Sequence, residues 1–381
     1  MSVYDLDDER AIRAGRLVHD WTKSGLLTEA QHDRLMPQLA VELRRTNKFL
    51  RMTLFVFGGV ILQSVVGLLA IFLGGVSDAV LCLTAGAACY WLASHLVSRY
   101  NLYRFGVEEV AALSAAGLTA VGAALLVGGD GDWPVITGLT TAAAMCTVLY
   151  LRFGYVYGAV LALVAGAALP FQFGSSEAIQ RLVAVAVLGG AAAAARNARA
   201  EHGDDYPGDA LAVIEAVAWL GIYLLVNLVI SSGITALDRR STFFWMTYAG
   251  IWILPAAGLW RALRGRDRPL LWVNLAAALA TLLSNKEYLG SPRYEWDPIV
   301  FGLLLMGIAV VVRRWLASGE GGQRHGYTAS RLVASDKARL GGLAMVSMVH
   351  TDVSVTQAAP AAEPSMGSGG RSGGAGAGGA F

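Results

Sequence analysis

Side chains able to form hydrogen bonds recur every four residues in an otherwise apolar segment of the sequence. They are Glu215, Trp219, Tyr223 and Asn227. Four residues turn an α-helix by about 400°, so these side chains drift over roughly 120° of one helix face. Because a carboxylate facing lipid would lack hydrogen-bond partners, the pattern predicts that Glu215 points toward other helices.

A second apolar segment carries Asn274, Thr281 and Asn285 close to one face. Ionisable residues at membrane depth are costly and often mark functional sites, whereas interhelical hydrogen bonds of roughly 0.6 kcal/mol each would only hold a bundle together. An open cavity beside these residues would favour transport, and a closed, hydrogen-bonded arrangement would favour a structural role. We expect Asn274, or another polar group of a neighbouring helix, to be the partner of Glu215. The candidate intramembrane polar site is Glu215, Trp219, Tyr223, Asn227 and Asn274.

Three common catalytic and metal-binding motifs are absent from the sequence. It contains no Walker sequence, no His-Glu-x-x-His and no Cys-x-x-Cys. Cys82, Cys89 and Cys146 fall inside apolar segments, where cysteine packs as a small apolar residue. We therefore predict a protein that is not an enzyme and has no cofactor, no catalytic residues and no metal site.

The elements that position these residues are apolar blocks. Mean hydropathy is +0.51, 55% of residues are hydrophobic and only 15% are charged, well below the quarter that is typical of soluble domains. Stretches of about 20 apolar residues are long enough to cross a bilayer as helices. The composition predicts an all-α, polytopic helical membrane protein. Its ten predicted spans lie at about 52–73, 77–97, 107–127, 134–151, 154–172, 179–195, 210–231, 243–262, 269–285 and 298–315.

Arginine and lysine positions predict the orientation, since positive residues in short loops stay in the cytoplasm. If ten spans alternate in direction, the basic groups that precede the first span or follow an even-numbered span all lie on one side of the membrane. Arg239 and Arg240 are the one pair of arginines that this arrangement places on the other side. Both termini are then expected in the cytoplasm, in an inner (plasma) membrane. The net charge of +2 gives no reason to expect nucleic acid as a partner, because topology accounts for the arginines.

Residues 1–50 are predicted to form a cytosolic helical hairpin and a lead-in helix. Asp7 and Asp8 could cap a first helix that ends at Gly25, where glycine tolerates the left-handed conformation. Thr28 and Gln31 form a Thr-x-x-Gln capping box for a second helix. A third, charged helix through "VELRRTNKFLR" would lead into the membrane. A hairpin of about 40 residues buries little core alone, so it should dock on the bundle, a second copy or a partner.

The pattern Trp21, Gly25-Leu26-Leu27-Thr28, Gln31 and Leu35 resembles the start of the domain of unknown function 2157 family of predicted bacterial multi-pass membrane proteins. Members of that family open with a Gly-Leu-Ile-(Ser/Thr)-x-x-Gln hairpin and continue into many spans. The resemblance implies this architecture and supplies no catalytic residues.

The remaining domains are a transmembrane bundle over 52–315 and a cytosolic tail over 316–381. The tail is predicted to be mostly disordered, because its Gly, Ala, Pro and Ser cannot bury enough surface to offset the entropy of ordering. The sequence leaves two functions open. One is a scaffold or sensor whose hairpin meets a protein partner or a second copy, and the other is a secondary transporter built from two five-helix halves.

Overall fold

The computed structural model describes residues 3–23, 25–174, 176–202, 206–231, 241–265, 267–290, 294, 296–319, 323–324 and 327–328. Within these ranges the regular secondary structure is helical, including 3₁₀ helices at Met36–Leu39 and Leu169–Gln172, apart from two short antiparallel strands, β1 (Gln323–Arg324) and β2 (Tyr327–Thr328). The helices, in chain order, are α1 (Leu6–Lys23), α2 (Glu29–Leu35), α3 (Lys48–Phe72), α4 (Asp78–Tyr100), α5 (Val107–Val127), α6 (Trp133–Phe153), α7 (Val156–Ala168), α8 (Glu177–His202), α9 (Tyr206–Val226), α10 (Leu228–Ser231), α11 (Thr242–Gly265), α12 (Arg268–Leu289) and α13 (Asp297–Ala317).

Seven of the described helices are long and apolar enough to cross a membrane: α3, α4, α5, α6, α8, α11 and α13. Two further apolar segments, Val156–Gln172 and Ala210–Val226, are shorter. The all-α fold class is therefore confirmed, with seven helices of membrane-spanning length. A helix lies at each of the ten predicted spans, and the number of crossings stays a prediction.

The N-terminal residues form two helices separated by a turn at Gly25. Gly25 has φ +72°, its N–H donates to the Thr22 carbonyl at 3.0 Å, and the Leu26 N–H donates to the Trp21 carbonyl at 2.9 Å. This pair of bonds is the Schellman motif, which ends a helix at a left-handed glycine. The predicted capping box is present at the start of α2, where Thr28 and Gln31 bond reciprocally.

Two local predictions in this region were wrong. Helix α1 is capped by Asp5 rather than by Asp7 or Asp8: the Asp5 carboxylate accepts the N–H of Asp7 at 3.1 Å, and the Asp5 carbonyl accepts the N–H of Glu9. The "VELRRTNKFLR" segment is not one continuous helix either, since residues 40–47 are non-helical and α3 begins at Lys48.

The reason is a non-local pairing that the sequence does not signal. The N–H of Arg44 donates to the Asn101 carbonyl at 2.8 Å, and the Arg44 carbonyl accepts the N–H of Tyr103 at 3.0 Å. These bonds form a parallel bridge between Arg44 and Leu102. Asn47 then starts α3 by accepting the N–H of Leu50 at 2.7 Å, as N-cap asparagines do.

Helices α3 to α7 pack as one bundle, whose core combines small residues on α4 and α5 with aromatic ones such as Phe153 and Tyr155. Ala93, Ala111 and Ala112 are fully buried, and a Cβ added at Gly86 would lie 2.6 Å from the Thr119 hydroxyl. Small residues let the backbones of membrane helices approach closely. Gly154, with φ +65°, ends α6 and separates it from α7.

Helices α8, α9, α11 and α12 form a second bundle, which meets the first through α7. Its buried residues include Tyr223, Ile251, Ala277 and Tyr288. The apolar windows of α3 and α13 contain no buried residues, which is compatible with helices that face lipid. The tail prediction from residue 329 onward, like Arg239 and Arg240, lies outside the described residues.

Candidate functional site

Glu215 lies inside the second bundle as part of a cluster of acids and arginines. It is 3% exposed. The Arg261 side chain on α11 donates to it through Nε, 3.0 Å from Oε1, and through Nη2. Arg199 on α8 is 4.0 Å from the other carboxylate oxygen and also pairs with Asp267, which precedes α12. We call Arg199, Glu215, Arg261 and Asp267 the acid–arginine cluster.

This cluster joins four helices and borders a cleft of about 530 Å³. The cleft is also lined by Arg196 and by Arg264, whose guanidinium lies 5.5 Å from the ring centroid of Trp260. Two buried carboxylates thus pair with two arginines at a cleft that two further arginines line. Charge-assisted bonds of this kind fix helix ends strongly, because leaving one buried carboxylate without its cation is costly.

Tyr223 and Asn227 belong to a separate hydrogen-bond network deeper in the same bundle. The Tyr223 hydroxyl is 2.9 Å from the Thr281 hydroxyl, and the Asn227 amide donates to Tyr223 at 2.9 Å and to Ser284 at 3.0 Å. Thr281 also donates to the Ile251 carbonyl on α11 at 2.7 Å. All four side-chain partners are at most 3% exposed, so the network is closed and holds α9, α11 and α12 together.

Trp219 and Asn274 lie between these two groups and join neither. The Asn274 amide donates to the Leu270 carbonyl of its own helix at 2.8 Å, while its Oδ1 and the indole Nε1 of Trp219 have no hydrogen-bond partner in the structure. Asn274 packs so tightly on Gly258 that a Cβ there would overlap its amide. The five candidate residues therefore divide between an ion-pair cluster, a closed network and two isolated polar groups.

The other end of α9 carries its own arginine contact. Arg181 on α8 donates to the Leu225 carbonyl at 2.6 Å and to the Ser231 hydroxyl at 2.7 Å, and it also pairs with Glu177. Polar contacts thus follow α9 and α10 from one end of the bundle to the other. Apart from Trp219 and Asn274, these side chains bond to one another or to backbone, which is the arrangement expected of a structural role.

The second site of interest is the surface where α1 docks on the first bundle. The Tyr4 hydroxyl donates to the Leu102 carbonyl at 3.1 Å, its ring meets that of Tyr103 edge-on at 5.0 Å, and the Val3 N–H donates to the Arg152 carbonyl at 2.8 Å. Ile12 is 1% exposed within the same core cluster. We call the end of the molecule that carries this contact the α1 end.

Glu9 of α1 is buried at this contact, where it is 6% exposed. Burial raises the pKa of its carboxyl to about 7, although Arg104 and a hydrogen bond from Tyr103 act in the opposite direction. Burial also raises the pKa of the Tyr4 hydroxyl. Asn101 and Arg104 have φ of +51° and +50°, which non-glycine residues adopt at a cost and often at functional sites.

A buried carboxylate of the first bundle is paired at the same end. Arg51 of α3 donates to Glu109 of α5 through Nε at 2.6 Å and through Nη2. Glu108 instead accepts the N–H of Phe105 at 2.6 Å and caps the start of α5. Each bundle therefore has a buried glutamate bonded to an arginine of another helix.

Sequence reasoning missed the partners of Glu215. The sequence indicated only a topological role for Arg199 and Arg261 and a loop position for Asp267. Their pairing depends on which helices are neighbours, and the sequence does not show this. One usable signal existed: a carboxylate close to the arginine-rich end of a span needs a cation. Within the described residues, no group of three His, Cys, Asp or Glu side chains is placed to hold a metal ion.

Comparison with protein-family models, curated proteins and solved structures finds no match to this chain. The resemblance to the domain of unknown function 2157 family therefore stays a prediction.

Proposed function

We propose that this chain is a non-enzymatic integral protein of the plasma membrane that acts as a scaffold or sensor. It crosses the membrane ten times, keeps both termini in the cytoplasm and presents its N-terminal helices to a protein partner or a second copy. The observation that carries the proposal is the docking of α1, which buries Tyr4, Glu9 and Ile12 against the bundle while α2 contains no buried residue. The N-terminal helices thus combine an anchored inner element with an accessible outer one.

The position of the basic residues supports the orientation. Arg51, Arg104 and Arg152 lie at the α1 end, as do the arginines of the acid–arginine cluster, since Ala198 of α8 and Leu211 of α9 pack in one cluster with Tyr150, close to Arg152. A ten-span topology brings these residues to the side where the positive-inside rule expects them. If the chain crossed the membrane an odd number of times between two of these basic groups, the two groups would lie on opposite sides of the membrane.

Cysteine labelling of the full chain tests the orientation. In a background with the three native cysteines changed to alanine, Glu29→Cys on α2 and Asp130→Cys in the α5–α6 loop give exposed sites at opposite ends. An impermeant thiol reagent applied from outside intact cells should label Asp130→Cys and spare Glu29→Cys. Labelling of both from the same side would overturn the ten-span arrangement.

Site-specific photocrosslinking tests the role of α2. A crosslinking amino acid at Asp33, which is exposed on α2, should give one discrete adduct in cells, and the same residue at Asp130 should not. An adduct of twice the chain mass would identify a second copy as the partner. Absence of any adduct at Asp33 and at the other exposed positions of α2 would contradict the scaffold proposal.

The transporter alternative receives less support from the polar residues. Tyr223, Asn227, Thr281 and Ser284 bond to one another in a closed arrangement, whereas a substrate site needs polar groups that face a cavity. The structural role of this network is the simpler interpretation.

A further inference from the structure

A basic groove separates α1 from the segment that leads into α3. It has a volume of about 870 Å³, and its apolar floor includes Met36, Leu39 and Leu43. Its rim carries five basic side chains contributed by three parts of the chain: Arg16, Arg45, Lys48, Arg51 and Arg104. The groove lies at the α1 end, beside the first turn of the first span.

The groove has an excess of positive charge. Arg51 is paired with Glu109, and Arg104 lies near Glu9. Among the described residues, no carboxylate pairs with Arg16, Arg45 or Lys48, and Asp20 is the one acidic side chain in the lining. Converging arginines attract anions, and the guanidinium group matches the geometry of a phosphate.

The groove continues into an apolar notch on α3. Lys48 and Arg51 line both the groove and a neighbouring pocket of about 290 Å³, whose other walls are Met52, Phe55, Tyr157 and Glu109, the last already paired with Arg51. Met52 is 70% exposed at this point. The surface therefore changes from basic to apolar within about one turn of α3, in the direction in which the helix enters the membrane.

We propose that the basic groove binds the phosphate headgroup of an anionic phospholipid whose acyl chain lies in the apolar notch along α3. A soluble phosphate compound would occupy only the groove. Because the groove is continuous with the apolar notch, a ligand with both a phosphate and an acyl chain fits the two pockets together. Basic pockets beside membrane helices on the cytoplasmic side bind anionic headgroups in this way. The proposal rests on the membrane orientation proposed above.

Lipid binding here would strengthen the docking of α1. Arg16 belongs to α1, Arg45 to the segment before α3 and Lys48 to α3 itself, so one phosphate between them would link α1 directly to the start of the first span. Because a ligand that binds only the docked form stabilises that form, the anionic lipid content of the membrane would control whether α1 is held or released.

The test is thermal unfolding of the full-length protein in neutral detergent micelles, titrated with phosphatidylglycerol, phosphatidylcholine or soluble glycerol phosphate. We expect phosphatidylglycerol to raise the Tm by several degrees, and the other two to leave it unchanged at equal phosphate concentration. The double variant Arg16→Gln/Arg45→Gln should bind phosphatidylglycerol at least about ten-fold more weakly, given the contribution of each basic residue to anionic-lipid binding. Both side chains are exposed, so the Tm without lipid should match that of the unmodified protein.

A matched control is Arg313→Gln/Arg314→Gln, which removes the same charge from the end of α13. It should retain the phosphatidylglycerol affinity of the unmodified protein. Equal weakening in both double variants would mean general attraction to surface charge and would overturn the site. If glycerol phosphate raised the Tm as much as phosphatidylglycerol, and Arg16→Gln/Arg45→Gln abolished that rise, the ligand would be a soluble phosphate compound. That result would overturn the proposal of a lipid site. Micelles have no sides, so failure here is distinguishable from failure of the cysteine-labelling test of orientation.

Discussion

The two helical bundles hold their helices together by different means. Between α4 and α5 of the first bundle the contact relies on close approach: Gly86 meets the backbone of Thr119 and Ala115, and the neighbouring buried residues are mostly alanines. In α8 to α12 the contacts rely on buried hydrogen bonds among Tyr223, Asn227 and their partners. Membrane helices have little hydrophobic driving force between them, so packing and hydrogen bonds are the two available sources of association energy.

The difference shows that a polar stripe inside a span can be an alternative to small-residue packing rather than evidence of transport. Both bundles still use the same contact at the α1 end, where a buried glutamate bonds to an arginine of another helix. The surroundings of these two pairs differ, since Glu215 has a second arginine nearby and Glu109 pairs with Arg51 alone among the described residues.

Removing the arginine that pairs with the buried glutamate should therefore reduce the free energy of unfolding more in the first bundle than in the second. Arg51→Ala leaves Glu109, 2% exposed, without its cation, and we expect a loss of roughly 3 kcal/mol in the free energy of unfolding. Arg261→Ala should cost about half as much, because Arg199 remains near Glu215. Unfolding in mixed micelles measures both, with Arg313→Ala as the control. A larger effect of Arg261→Ala would contradict the comparison.

Docking of α1 on the first bundle should weaken as the pH rises. The pKa of Glu9 is raised to about 7 from its ordinary 4.5, so its stabilising neutral form is fully present below about pH 4.5 and is lost as the pH passes 7. The docking free energy should fall by up to roughly 3 kcal/mol across this window. Hydrogen exchange of the α1 amides, corrected for intrinsic rates, reports the change.

Glu9→Gln should remove most of this pH dependence. Asp20→Asn, at an exposed position of the same helix, should leave it in place. Equal pH profiles for Glu9→Gln and the unmodified protein would show that another group controls docking.

Substituting alanine for a tightly packed glycine should destabilise the two bundles to different extents. A Cβ at residue 86 meets the Thr119 N at 3.1 Å and the Ala115 carbonyl at 3.3 Å, whereas the three atoms nearest to one at residue 258 all belong to the Asn274 side chain. Since a side chain can move more easily than backbone, Gly86→Ala should cost more than Gly258→Ala, within roughly 1–3 kcal/mol. Gly190→Ala, which faces open space, is the control and should be neutral or slightly stabilising. The reverse order would show that Asn274 is held as firmly as the backbone.

The smallest effect is expected from the closed network. Tyr223→Phe removes the hydroxyl that contacts Thr281 and Asn227, but Asn227 keeps Ser284. The loss should be about 0.6 kcal/mol, the average for interhelical hydrogen bonds in membranes. Thr84→Val, at a hydroxyl bonded only within its own helix, provides the comparison. A loss above about 2 kcal/mol for Tyr223→Phe would indicate that the network acts as one cooperative unit.

Local chemistry accounts for the parts of the fold that the sequence predicts well. Apolar blocks of sufficient length predicted helices at the observed places, and the turn at Gly25 with its capping box at Thr28 needs only neighbouring residues. The extended segment before Asn47 was not predictable, because Arg44 bonds to residues near 102 that are distant in sequence.

The candidate site was likewise predictable from local sequence only in part. The inward position of Glu215 could be inferred from the cost of a carboxylate in lipid, whereas its bonds to Arg261 and Arg199 depend on helix neighbours that periodicity does not reveal. Asn274 looked equivalent to Asn227 in sequence, yet only Asn227 bonds to side chains of another helix. Four-residue spacing identifies a helix face and does not say which neighbour that face meets.

The contacts of Tyr4 and Val3 also set an order of events during synthesis. Their partners include Leu102 and the carbonyl of Arg152, so α1 leaves the ribosome long before its docking surface exists. At about 5–20 residues per second, the intervening chain takes roughly 7–30 seconds to make. During that interval the apolar face of α1, which includes Ile12 and Val18, has no docking surface to pack against, so its burial comes only after the first bundle has been made.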